Sequence, residues 1–299
     1  MRMPFNSTSV RSTGGLALLD DQIRHVAPSI FATEAHDSRS SRYTYIPTSA
    51  LLDGLRKEGF APVMASQARS RDEGKREHTK HMLRLRHVGA MGRELAKGDA
   101  IPEIVLVNSH DGSSSYQLYA GMFRLVCTNG LMVSESQVGS IKVPHVGKVQ
   151  DRVIQSAFEI LDGFTRVIEA KEEMQAATLT DEEQQIFANS ALMIRYADQE
   201  TPAGAFPITE SQVLAPRRFE DRRPDLWTTF NRVQENMIKG GLRSRTAAGR
   251  RSSTREVKSI DQDVKLNRAL WSLTERMLNI KAGRPVEPAP IEAMDLETA

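Results

Sequence analysis

The chain has 299 residues, of which 39% are hydrophobic and 26% charged, and a net charge of +2. That length suits one large domain or two ordinary ones, and the balance excludes collagen-like and wholly disordered chains. A lone cysteine, Cys127, excludes an internal disulfide and a Cys-rich zinc site, and no apolar run approaches the length of a membrane helix.

The opening MRMPFNSTSVRSTGG lacks the apolar stretch of a secretory signal, so a soluble protein of the cytoplasm is expected. Residues 1–42, rich in Ser, Thr, Gly and Arg, read as an N-terminal arm whose piece LALLDDQIRHVAPSIFA packs on the body. An α+β core is expected over 43–148. Tyr43, Tyr45 and Ile46 suit a short strand, stopped by Pro47, and Thr48 or Ser49 then caps a helix over 50–58. Its Leu51, Leu52 and Leu55 share one face, and Gly59 ends it.

Three strands follow in FAPVMASQARSR, HMLRLRHV and EIVLVNSHDG, joined by polar links as in an antiparallel meander. Alternation in the second puts Leu83 and Leu85 on one face, and Lys80, Met82, Arg84 and Arg86 on the other. SSSYQLYAGMFRLVCTNG fits a hairpin arm turning at Asn129-Gly130. The stripe Leu118, Met122, Leu125 and Val126 at helical spacing favours a helix.

A helical region is expected over 149–282, with a break near 178–181 where TDEE forms a capping box. Pro202 and Pro207 mark a linker. RPDLWTTFNRVQENMIKGG and SIDQDVKLNRALWSLTERMLNI are then amphipathic helices. The acidic stretch 283–299 reads as a mobile tail.

Charge is segregated along the chain. Residues 151–200 hold eleven acidic and four basic side chains, whereas 217–258 hold twelve basic and five acidic. Between the last two helices Lys239, Arg243, Arg245, Arg250, Arg251 and Arg255 stand without an acid among them, spaced by Gly, Ser, Thr and Ala. Guanidinium forks match phosphate oxygens, and small residues let a backbone approach a polyanion, although a flexible wet loop has the same composition. Arg69, Arg71, Arg84 and Arg86 form a second basic set, suited to tracking a single strand or to protecting an edge strand.

His78, His81 and His87 are crowded by Lys and Arg, which opposes a divalent metal, and no metal-ligand or nucleophile motif is present. No catalytic residue and no cofactor is implied. Asn108, Ser109, His110 and Asp111 are ordinary turn formers that could also meet a ligand.

The words APSIFA, YIPT, KHMLRLR, LVNSHDG, FRLVCTNG, DLWTTFNRVQENMIKGGLRSR and KLNRALW together resemble a family of phage- and plasmid-borne proteins known only as a domain of unknown function. That resemblance covers about residues 16–280 and implies a mobile-element context. One helix, a three-stranded meander and a further helix are also similar to the core of phage single-strand-annealing proteins of the RecT, Red-beta and Erf class. That likeness implies a homo-oligomer acting in recombination, with Arg69, Arg71, Arg84 and Arg86 on the strand.

The resulting expectation is an α+β fold, an antiparallel meander sheet with helices packed on one face and a helical C-terminal half. It is expected to bind nucleic acid, most sharply single-stranded DNA. The alternative is an anti-defence inhibitor that binds a host protein. A metal-dependent nuclease using Glu103, His110 and Asp111 is a third.

Overall fold

A computed structural model describes residues 9–12, 16–34, 45–70, 76–90, 100–124, 130–132, 140–145, 148–197, 206–245 and 249–286. Arg71, Tyr43, Cys127, the 129–130 turn, Pro202 and the 287–299 stretch of the tail lie wholly or partly outside these.

The N-terminal half is an antiparallel sheet. Strands β1 (Ser9–Arg11), β2 (Phe60–Gln67), β3 (His81–His87), β4 (Ala100–Asn108) and β5 (Tyr116–Arg124) lie side by side in chain order. Both β6 (Gly130–Met132) and β7 (Ser140–Val143) pair with the far edge of β5. The meander expected from the sequence is therefore present, extended at both ends.

Two local expectations are corrected. Tyr116–Arg124 is a strand, not a helix, and pairs with β4 over eight residues. Leu118, Ala120 and Met122 pack on one side of the sheet while Tyr119 and Phe123 pack on the other. Burial on both faces erases the polar alternation that marks a strand, and a continuous apolar run also fits helical spacing. Tyr45 and Ile46 are not a strand. The Tyr45 hydroxyl donates to Ala32 O at 2.5 Å, and Ile46 O accepts from the Tyr116 hydroxyl at 2.7 Å.

Helices α1 (Asp20–Val26) and α2 (Thr48–Lys57) precede β2. The C-terminal half is helical, with α3 (Val149–Ala176), α4 (Asp181–Tyr196), α5 (Glu210–Leu214), α6 (Leu226–Lys239) and α7 (Ile260–Lys281). The expected capping box closes α4, where Thr180 Oγ1 accepts from Glu183 N (3.2 Å) and Glu183 Oε2 accepts from Thr180 N (2.7 Å).

Leu83, Leu85, Ile104 and Leu106 meet Leu51, Leu52, Val149, Val153, Phe230 and Trp271 in one core. A smaller cluster lies on the opposite sheet face, where Met82, Val105, Val107, Tyr119 and Phe123 pack against Ile260 and Val264 of α7. Helices thus cover both faces, not one. This second cover decides the fate of the sheet arginines.

Candidate functional site

Arg84 and Arg86 point where the alternation puts them, but that face is dry. They are only 5% and 7% exposed. Glu103, also buried, lies between them: Arg84 Nε donates to Oε2 at 2.7 Å and Arg86 Nη2 to Oε1 at 2.5 Å. The guanidinium of Arg84 also lies over the Phe123 ring. Burial pulls the Arg84 pKa down to about 10, with Glu103 opposing that shift. Burial also pushes Asp263, on the first turn of α7, up to about 6. The expectation of a solvent-facing pair is corrected: both guanidiniums are buried, and the Glu103 carboxylate bridges them.

Glu103 was not foreseen in this role. The signal was one acid in an apolar run, at a register that brings it opposite β3. Leu85 pairs with Ile104, so Arg86 and Glu103 stand one step further along. About 17 Å of extended strand separates Glu103 from Asn108, so Glu103 is not joined with His110 and Asp111 in one site.

The loop arginines behave differently. After α6, Gly240 turns with φ +62°, and a Cβ there would lie 2.7 Å from the Arg255 carbonyl carbon. The close approach that requires glycine is the stem of a ribbon. Gly241 N donates to Thr254 O (2.8 Å) and Thr254 N to Leu242 O (2.9 Å). Strands β8 (Arg243–Arg245) and β9 (Arg251–Ser253) continue it as an antiparallel pair. The wet loop of the sequence reading is a hairpin.

The register pairs Arg243 with Ser253 and Arg245 with Arg251, so by the two-residue pleat Arg243, Arg245 and Arg251 share one face. All three are exposed, as are Arg250 and Arg255. Among the described residues, Arg243, Arg245, Arg251 and Arg255 make no ion pair. Lys239 does not join them, since its Nζ donates to the buried Glu235 at 2.5 Å. Arg69 lines a cleft of about 320 Å³ with Thr79, Lys80, Asp111 and Asp261, and no ribbon arginine lines it. Lys80 and Asp261 pair there at 2.6 Å.

The histidines form a buried polar cluster that the sequence reading did not assemble. Thr79 O can only accept, so His81 Nδ1, 3.2 Å away, carries the proton, and Ser29 Oγ lies 2.9 Å from the same nitrogen. His81 Nε2 then accepts from the Thr48 hydroxyl at 2.9 Å. Thr48 Oγ1 accepts from Asn108 Nδ2 (3.1 Å) and from His110 Nε2 (3.2 Å), and Asn108 Oδ1 accepts from His145 Nε2 (3.1 Å).

One hydroxyl therefore ties the start of α2 to β3, to the end of β4 and, through Asn108, to His145. Burial pushes His81 down to about 4 and His110 to about 3, the charges of His81, His145 and His78 adding to the second. Both rings are neutral at pH 7. Asn108 and His110 belong to this buried network, while Ser109 and Asp111 play the expected turn role, accepting from Ser114 N at 2.8 Å and from Ser113 N at 2.9 Å.

Among the described residues no group of three or more His, Cys, Asp or Glu is placed to hold a metal ion. Thr48→Val keeps the shape and deletes the hydroxyl, so it is expected to cost about 2 kcal/mol in urea unfolding, and Thr48→Ser to recover most of it.

The model of the family described as "Domain of unknown function (DUF932)" matches residues 35–271. The UPF0380 protein YafZ of Escherichia coli (strain K12) is 52% identical over 261 residues, 87% of this chain and 92% of the relative. The UPF0380 protein YfjQ of the same strain is 51% identical over 261 residues, with the same shares covered. No solved structure gives a significant match. On the family match and these two relatives, the chain belongs to the DUF932 family.

Proposed function

We propose that this protein binds nucleic acid, in its sharpest form single-stranded DNA, through the arginine ribbon at the end of α6. The observation that carries the reading is the juxtaposition of Arg245 and Arg251. Like charges directly opposite on a two-stranded ribbon repel, and no acid of the described chain relieves them. Three other cations of the basic segment are matched: Arg218 and Lys239 to Glu235, and Arg223 to Asp225. A phosphate backbone supplies the missing anions, with two or more guanidinium forks on one face to grip it.

The sheet arginines have no part in this reading, because Glu103 already satisfies them. The likeness to annealing proteins therefore rests on the meander alone. The phage- and plasmid-borne context implied by the sequence words suits a DNA-binding protein, and self-assembly along a strand belongs to the annealing form of the proposal.

Phosphate contacts carry no sequence information, so Arg245→Ala or Arg251→Ala should weaken binding alike on all sequences. Each should lower the slope of log affinity against log salt by about one unit. Salt titrations of both single variants and the double variant check this. An unchanged slope in the double variant refutes the ribbon as the phosphate site, and a host protein then becomes the partner to seek.

A further inference from the structure

We propose that Phe219 is a base-stacking residue that gives the ribbon its preference for an unpaired strand. The proposal rests on the nucleic-acid reading of the ribbon and adds a second kind of contact to it.

Phe219 is 78% exposed and is the one exposed Phe, Tyr or Trp ring among the described residues. Its neighbours in sequence show the contrast, since Trp227, Phe230 and Trp271 are all buried. A single wet phenyl ring would be unremarkable on a loose loop. This one stands on a braced corner.

Arg218 donates to Glu235 through both Nη1 (2.7 Å) and Nη2 (2.5 Å), and to Asp221 at 2.8 Å. Arg217 donates to Asn236 Oδ1 at 2.6 Å and to Gly240 O at 2.7 Å. These two arginines fix the chain immediately before the ring, and a short 3-10 turn, Glu220–Arg222, fixes it after. The ring is therefore held outward, with little loop movement available to bury it.

The surroundings specify what would cover it. The Arg222 guanidinium lies 5.1 Å from the ring centroid, and Arg217 donates to neutral oxygens, not to a carboxylate. Arg217 and Arg222 are both exposed. An exposed aromatic ring with a guanidinium beside it fits a flat, electron-rich ring attached to an anionic chain, which describes a nucleotide within a strand. In a duplex the base faces are covered by one another; in a single strand they are free to stack on protein.

The corner is also joined to the ribbon. Gly240, which accepts from Arg217, is where the ribbon stem begins, and Gln212 Nε2 donates to Arg243 O at 2.8 Å. Phe219 thus stands two residues from an arginine hydrogen-bonded to the stem of the ribbon that carries Arg243, Arg245 and Arg251.

The test compares full-length wild type, Phe219→Ala and Phe219→Tyr on labelled oligo(dT), on an abasic strand of equal length and on a duplex. Phe219→Ala is expected to weaken oligo(dT) binding about tenfold, with the salt slope unchanged. Affinities for the abasic strand and the duplex should move less than about twofold, and Phe219→Tyr should bind like wild type. An exposed ring leaves the fold intact, which equal urea midpoints verify. Loss on all three probes alike, or no loss on oligo(dT), overturns the stacking role. If Phe219→Ala binds oligo(dT) normally while the Arg245 and Arg251 variants lose affinity, stacking alone falls. If wild type binds no probe at low salt, the ribbon reading falls with it.

Discussion

Glu103→Gln is expected to destabilise the protein by about 3–5 kcal/mol, the largest effect of any single substitution considered. Gln keeps the size of the side chain and removes its charge. Arg84 and Arg86, both buried, would then face each other across a neutral amide. Arg84 already has its pKa drawn down to about 10 by burial, and Glu103 is the chief influence holding it up. Asp263 would remain as the nearby acid, half-buried on the first turn of α7 and acting on Arg84. It compensates only part of the loss, because it acts on Arg84 and Arg11 but not on Arg86, and burial opposes its ionisation.

Two further variants separate charge from packing. Replacing all three residues together, Arg84→Met, Arg86→Leu and Glu103→Met, leaves no buried guanidinium without its carboxylate and should cost less than Glu103→Gln alone. Urea unfolding of both proteins reads the difference. A Glu103→Gln protein as stable as wild type would show that the buried ion pairs between β3 and β4 do not stabilise the sheet.

The second large effect is acid sensitivity. In the unfolded chain a histidine titrates near 6.5, whereas folded His81 titrates near 4 and His110 near 3. Between those values the unfolded chain holds protons that the folded chain refuses. Stability is therefore fully present above pH 6.5 and falls as pH drops, by about 1.4 kcal/mol per pH unit for each ring. At pH 5 the two together cost about 4 kcal/mol.

Asp263 opposes this. Its folded pKa is raised to about 6, so below that pH the folded state takes up the proton more readily and recovers about 1 kcal/mol by pH 5. His145, also lowered by burial, adds to the loss, and His78 and Asp111 are the other titratable groups acting on His110. Urea midpoints at pH 7.5, 6 and 5 should decline steadily, and His81→Gln should flatten the decline. A midpoint constant across that range would contradict the neutral, buried cluster.

Much of the fold was legible in the residues. Leu51, Leu52 and Leu55 gave α2 and its face, the alternation of HMLRLRH gave β3, and Thr180 with Glu183 gave the start of α4. Gly240 and Gly241 marked the end of α6 and the start of the ribbon. These signals are local: they depend on a few neighbours and on backbone geometry that glycine permits.

What was hidden depended on distant chain. The second sheet face looked wet because nothing near Arg84 indicates that Ile260 and Val264 return to cover it. The same cover made Tyr116–Arg124 apolar on both sides and let it pass for a helix. Thr48 looked like a cap, yet Pro47 is the N-cap residue and the threonine hydroxyl serves His81, His110 and Asn108, some thirty to sixty residues away. The basic loop was visible as composition. Its ribbon register, which sets Arg245 against Arg251, was not.

The most direct test of the central claim is fluorescence anisotropy of the wild-type protein against a labelled single strand and the matching duplex, titrated with salt. The ribbon and Phe219 together predict tighter binding to the single strand, falling steeply as salt rises. No binding to either form at low salt would contradict the proposed function.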